Sequence, residues 1–295
     1  MLAQEPAAWE PRPVSTALEA QVELHRRGFS CGAIDGVAGA QTAAALRAFQ
    51  RAAGVRESGA LDAATREHLR LSAPALREHT ITAGDMAGLR PVPATWLEKS
   101  RQPDLAHASV LERLAELHRA SVACLRQLNP EVDWDAIAPG TDIAVPAVDR
   151  PVIEGRAASI VIRLEARELE ALDAEGRVLL HCPVSIARKA EKRPAGELRV
   201  TVIVRDPNYT FDPEVFPESE EARELGRKLI LPPGPNNPVG VAWIGLSLPG
   251  YGLHGTPDPE KVGRTESHGC FRLANWDALT LLDLVRVGMV VQVEP

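Results

Sequence analysis

Aromatic side chains are scarce in this 295-residue chain: five Trp, two Tyr and five Phe, 4% of the total. Its cores must therefore be filled by Leu, Val, Ile and Ala. No apolar run approaches the ~18 residues of a membrane-spanning helix. Basic charge is also short, with 33 Lys and Arg against 40 Asp and Glu and a net charge of -7. That sign argues against a nucleic-acid-binding surface, whose footprint is basic. The four cysteines, Cys31, Cys124, Cys182 and Cys270, have no metal-ligand spacing and form no dense disulfide framework. The opening residues Met1 to Pro6 lack the basic and apolar segments of a secretory signal. Turn chemistry is plentiful instead: 22 Gly and 24 Pro, about one residue in six. With 45% hydrophobic and 25% charged residues the chain is not a disordered one. Its length allows two or three domains at roughly 100–200 residues each.

Residues 16–71 read as helical. Leu18, Val22 and Leu24 with Ala17 and Ala20 give a first apolar stripe, which Gly28 and Gly32 break. Ile34-Asp35-Gly36 reads as a turn, because Asp bonds nearby backbone and Gly tolerates positive φ. Ala45, Leu46 and Phe49 mark a second helix ended by Gly54, and 61–71 supplies a third. From Arg77 the pattern changes. His79 to Asp85 reads as a short strand running into a turn, with Asp85 a turn residue. A helix is expected over Val110–Leu117, with Leu111, Leu114 and Leu117 on one face. Leu128-Asn129-Pro130 closes another, since Pro cannot continue it, and 137–146 reads as a turn plus an edge strand. Pro146, Pro151 and Gly155 read as a linker, so the remainder is expected to fold alone.

Residues 156–295 read as mostly β. Leu198, Val200, Val202 and Val204 alternate with Glu197, Arg199, Thr201 and Ile203, the period of a half-buried strand. Segments 169–172 and 178–182 flank Asp173 to Gly176 as a hairpin, with Cys182 buried; 241–246 and 289–293 are further strands. One helix interrupts them, with Asn275 as N-cap, Asp277 at its positive end, and Leu281, Leu282 and Val285 as the buried face. Arg188 to Arg193 reads as a solvated loop and 218–224 as an exposed acidic helix start.

The densest chemical signal is Ser267-His268-Gly269-Cys270-Phe271-Arg272-Leu273, with His254-Gly255-Thr256 upstream. Cysteine attacks as thiolate, and its ordinary pKa is near 8.5. A histidine within reach can take that proton and return it to a leaving amine. His268 stands two residues away, and His254 lies where a loop can close the distance, so two candidate bases remain. A thiolate beside a protonated histidine is expected to react first at neutral pH. Gly269 lets a carbonyl approach the backbone, where exposed amides form an oxyanion hole. Arg272 offers a cation for a carboxylate. A buried structural cysteine and a zinc site of two His and a Cys are the competing readings.

The two motifs together resemble the signature of L,D-transpeptidase catalytic domains. Leu231-Pro232-Pro233-Gly234-Pro235, Asn236-Asn237-Pro238-Val239-Gly240, Trp243-Ile244-Gly245-Leu246, Leu253 and Gly263 match as well. Two smaller resemblances precede it. Leu18, Gly28-Phe29, Gly32, Ile34-Asp35-Gly36, Gly39, Thr42, Phe49-Gln50, Gly54, Gly59, Leu61 and Thr65 resemble the three-helix peptidoglycan-binding module. The strand before Gly84-Asp85, Asn129-Pro130 and Pro139-Gly140-Thr141 to Val145-Pro146 resemble a LysM glycan-binding module, with a Pro-containing insertion from Met86 to about Ser109.

These resemblances imply a multidomain α+β protein. It comprises a three-helix module at 15–73, a LysM-like module at 77–148, and a mostly-β, sandwich- or barrel-like catalytic domain at 156–295. They imply Cys270 as nucleophile, His254 as general base oriented by the carbonyl of Gly255, and His268, Gly269 and Ser267 in the oxyanion and substrate-positioning region. Arg272 stands where some relatives carry Asn, so it either grips a substrate carboxylate or braces the loop. The implied partners are peptidoglycan stem peptides and glycan, with carbapenem-type inhibitors as acylating mimics and no metal or organic cofactor. The implied reaction is cross-linking of tetrapeptide stems through a thioester. Stem trimming by water and non-catalytic wall binding are the alternatives. The implied location is the periplasm or cell envelope, which makes this an exported protein whose signal peptide has been removed.

Overall fold

The computed structural model of the chain describes residues 9–215, 219–265 and 269–295. In the first module, a short pair of strands, β1 (Arg12–Pro13) and β2 (Arg70–Leu71), brackets α1 (Ala17–Arg26), α2 (Ala40–Ala52) and α3 (Ala63–His68). Thr16 caps α1 by accepting from the Glu19 amide, and Asp62 caps α3 by accepting from Thr65. Ala20, Leu24, Ala45, Leu46, Phe49 and Leu69 close the core, with Phe29 edge-on to Phe49 at 5.7 Å.

The second module pairs β3 (Leu76–Thr80) with β4 (Asp142–Pro146), antiparallel. Between them run α4 (Ala83–Met86), α5 (Trp96–Ser100), α6 (Val110–Leu117) and α7 (Val122–Leu128). The buried face of α6 is Val110, Leu111, Leu114 and Ala115; Leu117, expected inside, is 55% exposed. The insertion after Met86 straps this module to the next one. Trp96 stacks on Phe211 at 4.5 Å, and Leu105 exchanges backbone bonds with Pro233 and Asn236.

The third module holds β5 (Ser159–Arg163), β6 (Glu168–Leu172), β7 (Val178–Pro183), β8 (Gly196–Arg205), β9 (Tyr209–Phe211), α8 (Glu220–Leu225), β10 (Leu229–Leu231), β11 (Ala242–Leu246), β12 (Gly252–His254), β13 (Phe271–Arg272), α9 (Asn275–Leu284) and β14 (Val290–Glu294). β9 and β10 form a separate hairpin. The other strands make one mixed sheet in the order β13-β12-β11-β8-β14-β5-β6-β7. Ser185, just past β7, exchanges both backbone bonds with Arg272 of β13 at 2.9 and 3.0 Å. The two ends of the sheet therefore meet and it curls closed. Ile160, Ile162, Leu169, Leu180, Ile244, Leu253, Phe271 and Val291 fill the interior with Ala278, Leu281 and Leu284 of α9. Each fully buried side chain of this size contributes about 1.5–3 kcal/mol. Leu282 and Val285 are only half-buried, so the inward face of α9 is set by Ala278, Leu281 and Leu284.

Segment 146–155 connects the modules but does not define their relation, as a linker would. Residues 28–30 add a short parallel strand to the free edge of β7, through His181 N–H to Gly28 O at 2.9 Å and Ser30 N–H to His181 O at 2.8 Å. Only glycine fits at 28: φ is +83°, and a Cβ would lie 2.7 Å from the Leu179 oxygen. Arg51 donates to both oxygens of Glu170, at 2.9 and 3.2 Å. Burial pushes that carboxyl up, but His181, Arg163 and Arg51 hold it at about 2. Ile34 exchanges backbone bonds with Arg119 and Ser121, and Val122 N–H donates to Glu260 at 2.8 Å. All three modules interlock.

Candidate active site

The register of the closing strands builds the site. β11 and β12 are antiparallel with Trp243 opposite His254 and Gly245 opposite Gly252. β12 and β13 are parallel with His254 beside Arg272 and Leu253 beside Phe271. Side chains alternate along a strand. Leu253, Phe271 and Ile244 therefore point into the core, while Trp243, His254 and Arg272 share the opposite face, and Cys270 immediately precedes β13. Gly245 and Gly252 leave a slot on that face. A Cβ on Gly252 would lie 2.7 Å from the Trp243 indole, and one on Gly245 3.1 Å from its Nε1. The indole fills the slot and stacks on His254, centroids 5.6 Å apart and planes 20° from parallel. Val202 and Val204 of β8 lie on the same side. They are 43% and 37% exposed, although their alternation reads as that of core residues.

His254 is 4% exposed. Its Nδ1 lies 2.6 Å from the carbonyl of Gly255. A carbonyl only accepts, so Nδ1 carries the proton and Nε2 is left as the basic nitrogen. Burial, with Arg272 adding to it, lowers the imidazole to about 4 against the pull of that hydrogen bond. Cys270 is partly buried, and its Sγ donates to the carbonyl of Gly250 at 3.3 Å. Burial pushes its thiol up, opposed by a backbone hydrogen bond from Gly252 and by the Arg272 cation. Both shifts favour the thiol and the neutral imidazole. Burial drives both groups toward their neutral forms and works against a thiolate–imidazolium pair.

Arg272 holds its place between β12 and Ser185. Gly269 lies over Tyr251, whose ring a Cβ would meet at 3.8 Å; the Tyr251 hydroxyl donates to Lys192 O at 3.0 Å. Ser267 and His268 lie outside the described residues. Tyr209 of β9 was not singled out by its sequence. Burial and the charge of Cys270 raise its phenol while Arg272 lowers it. Only the fold could reveal it, since it lies 61 residues from Cys270 in sequence.

Asn275 was expected as an N-cap. Ala274 holds that position, and Asn275 starts α9 fully buried. Its Oδ1 accepts from Val241 and Thr256 amides, and its Nδ2 donates to Glu116 of α6. Cys31, Cys124 and Cys182 are all buried, and none of the four cysteines is in a disulfide. Among the described residues no group of three His, Cys, Asp or Glu side chains is placed to hold a metal ion, and no helix is long and apolar enough to cross a membrane.

Residues 157–293 match the L,D-transpeptidase catalytic domain family (YkuD), and residues 15–69 match a peptidoglycan binding domain family. The chain is 27% identical over 186 residues to a Bacillus licheniformis protein named as an L,D-transpeptidase, YkuD; the match covers 63% of this chain and 93% of that one. A Fuscovulum blasticum protein named as an L,D-transpeptidase is 31% identical over 128 residues, 43% of this chain and 65% of its own. Among solved structures, an Enterococcus faecium L,D-transpeptidase aligns over 50% of this chain and 52% of its own at 20% identity and a TM-score of 0.33. A Xylanimonas cellulosilytica L,D-transpeptidase aligns over 98% and 100% at 18% identity and a TM-score of 0.39. The chain therefore carries, at 157–293, a catalytic domain of the L,D-transpeptidase family, joined to an N-terminal peptidoglycan-binding domain.

Proposed function

We propose that Cys270 is the nucleophile and His254 the general base of a peptidoglycan cross-linking reaction. The observation that carries this reading is the pairing of His254 beside Arg272, two residues on from Cys270, with Nε2 of His254 as the basic nitrogen. His254 Nε2 takes the thiol proton as sulfur attacks the carbonyl carbon of the third residue in a tetrapeptide stem. The amides of Gly269 and Cys270 hold the resulting oxyanion, with Ser267 and His268 in the same positioning region. The intermediate collapses to a thioester. D-Ala leaves as an amine carrying the proton returned by His254. An acceptor amine then attacks the thioester, gives its proton to His254, and forms the new amide, which releases the thiol.

Since burial favours the neutral forms of both groups, the thiol is deprotonated as attack proceeds. Arg272 supports the developing negative charge near Cys270, and its cation also suits a stem carboxylate. The division into 15–73, 77–148 and 156–295 belongs to this reading. The pairing of β3 with β4 around α6 and α7, with the short α4 and α5 inserted before them, supports a LysM-like, glycan-binding role for the middle module. The substrate places the enzyme in the cell envelope, on the periplasmic side.

The test is acylation of the full chain by a carbapenem, followed by intact mass, with isolated muropeptides analysed in parallel. Cys270→Ala should give no adduct and no cross-link. His254→Ala should slow acylation by about 10²–10⁴-fold, the usual contribution of a positioned base. An adduct on the Cys270→Ala protein would refute the assignment.

A further inference from the structure

The peptide unit joining Gly255 to Thr256 is one rigid plane. Its carbonyl receives the Nδ1 proton of His254 at 2.6 Å, and its N–H donates to Asn275 Oδ1 at 3.1 Å. The plane is therefore held at both ends, by His254 on one side and Asn275 on the other. Packing leaves it little freedom. A Cβ on Gly255 would lie 2.1 Å from Asn275 Oδ1, and one on Gly240 2.0 Å from it. The amide of Asn275 thus sits flush against two backbone segments that only glycine lets come so close.

The other end of Asn275 is fixed as firmly. Nδ2 donates to Glu116 Oε1 and Oε2 at 3.2 and 3.1 Å and to Pro235 O at 3.2 Å. Oδ1 also accepts from Val241 at 3.3 Å. Glu116 belongs to α6 of the middle module. A carboxylate accepting from Nδ2 polarises the amide and strengthens what Oδ1 accepts, and the same holds one step on, through the peptide to His254.

We infer that Asn275, held by Glu116 of the middle module, is a positioning residue that fixes the 255–256 peptide plane and through it the tautomer of His254. The middle module thereby bears on the base without touching substrate. This inference rests on the reading of His254 as the base.

Two readouts separate the inference from that reading. The first is the His254 Nδ1 proton resonance of the full-length protein, with the ring nitrogen shifts that report the tautomer. The second is the rate of carbapenem acylation from pH 5 to 9. Asn275→Ala should lose or broaden the resonance and slow acylation by about 10–100-fold, the scale of a misplaced reacting group and less than loss of the base itself. Glu116→Ala should change both in the same direction by about half as much on a logarithmic scale. Glu116→Gln keeps an acceptor for Nδ2 and should recover most of both. The Glu116 pair tests the inference even where Asn275→Ala does not fold. A wild-type resonance and rate in Glu116→Ala, or in a folded Asn275→Ala, would overturn the inference. Loss of the resonance at wild-type rate would support the positioning of His254 and instead overturn its role as base.

Discussion

Replacing Asp277 by Asn should stabilise the protein at pH 8 and change it little at pH 4.5. Asp277 lies in the first turn of α9, wholly buried, and its Oδ2 accepts from Ser30 Oγ of the first module at 2.9 Å. Burial raises its carboxyl from 3.8 to about 7, against the opposing pull of Arg119 from the middle module. Between those two values the folded protein keeps a proton that the unfolded chain gives up. Stability is therefore lost as pH rises from about 4 to about 7. The gap corresponds to about 4 kcal/mol at most.

Three buried histidines act in the opposite sense. Burial lowers His25 to about 3 and His118 and His254 to about 4. They contribute stability above their ordinary value, and it is lost as pH falls toward 4. The wild-type profile mixes both trends, so the informative quantity is the difference between wild type and Asp277→Asn. The assay is urea unfolding of both proteins at pH 4.5, 6, 7 and 8, by matched midpoints and slopes. The variant should gain on wild type steadily up to pH 7 and level off above it. A difference that stays constant from pH 4.5 to 8 would refute the argument.

Cys270 should be the first cysteine alkylated by iodoacetamide, because burial pushes Cys124 to about 11 and Cys31 and Cys182 further. Its rate should climb through pH 9, and a plateau near pH 6 by peptide mapping would reveal a thiolate–imidazolium pair instead. A fragment beginning near Gly155 should melt lower than the full chain and acylate more slowly even with a small soluble substrate. It exposes the β7 edge and strips Glu116 from Asn275. Equal melting and equal rates for fragment and full chain would show that the interlocking contacts carry no weight.

The strand hairpin at 168–183 and the helices of the first module were legible because their signals are local. Alternation, capping residues and glycine turns act over a few positions. The site of Cys270, His254 and Arg272 was half-legible: the two motifs named the residues, while the parallel pairing of β12 and β13 set His254 beside Arg272. Asn275 shows what local rules miss. Its type and place suit an N-cap, but two amides, 34 and 19 residues away in sequence, claim its oxygen. The insertion after Met86 looked like a departure from a glycan-binding pattern. Its Trp96 has an aromatic partner only because the fold brings Phe211 to it. Leu117 fits its helical stripe, seven residues on from buried Val110, yet as the last residue of α6 it lies 55% exposed.

The first turn of α9 is where the three modules meet. Asp277 reaches Ser30 of the first, Asn275 reaches Glu116 of the second, and the same Asn275 holds the loops at Val241 and Thr256 of the third. A flexible tether would raise the local concentration of an active site near its substrate while leaving its orientation free. Modules locked at one helix end do something different. They fix the angle between any surface gripping the wall and the site carrying Cys270, so that binding also orients. Orientation is the larger lever in acyl transfer between two immobilised partners, since a reacting atom misplaced by about 1 Å already costs about 10²-fold. The interlock thus makes mechanical sense under the proposed cross-linking reaction, whose substrate would be a fixed network rather than a diffusing molecule.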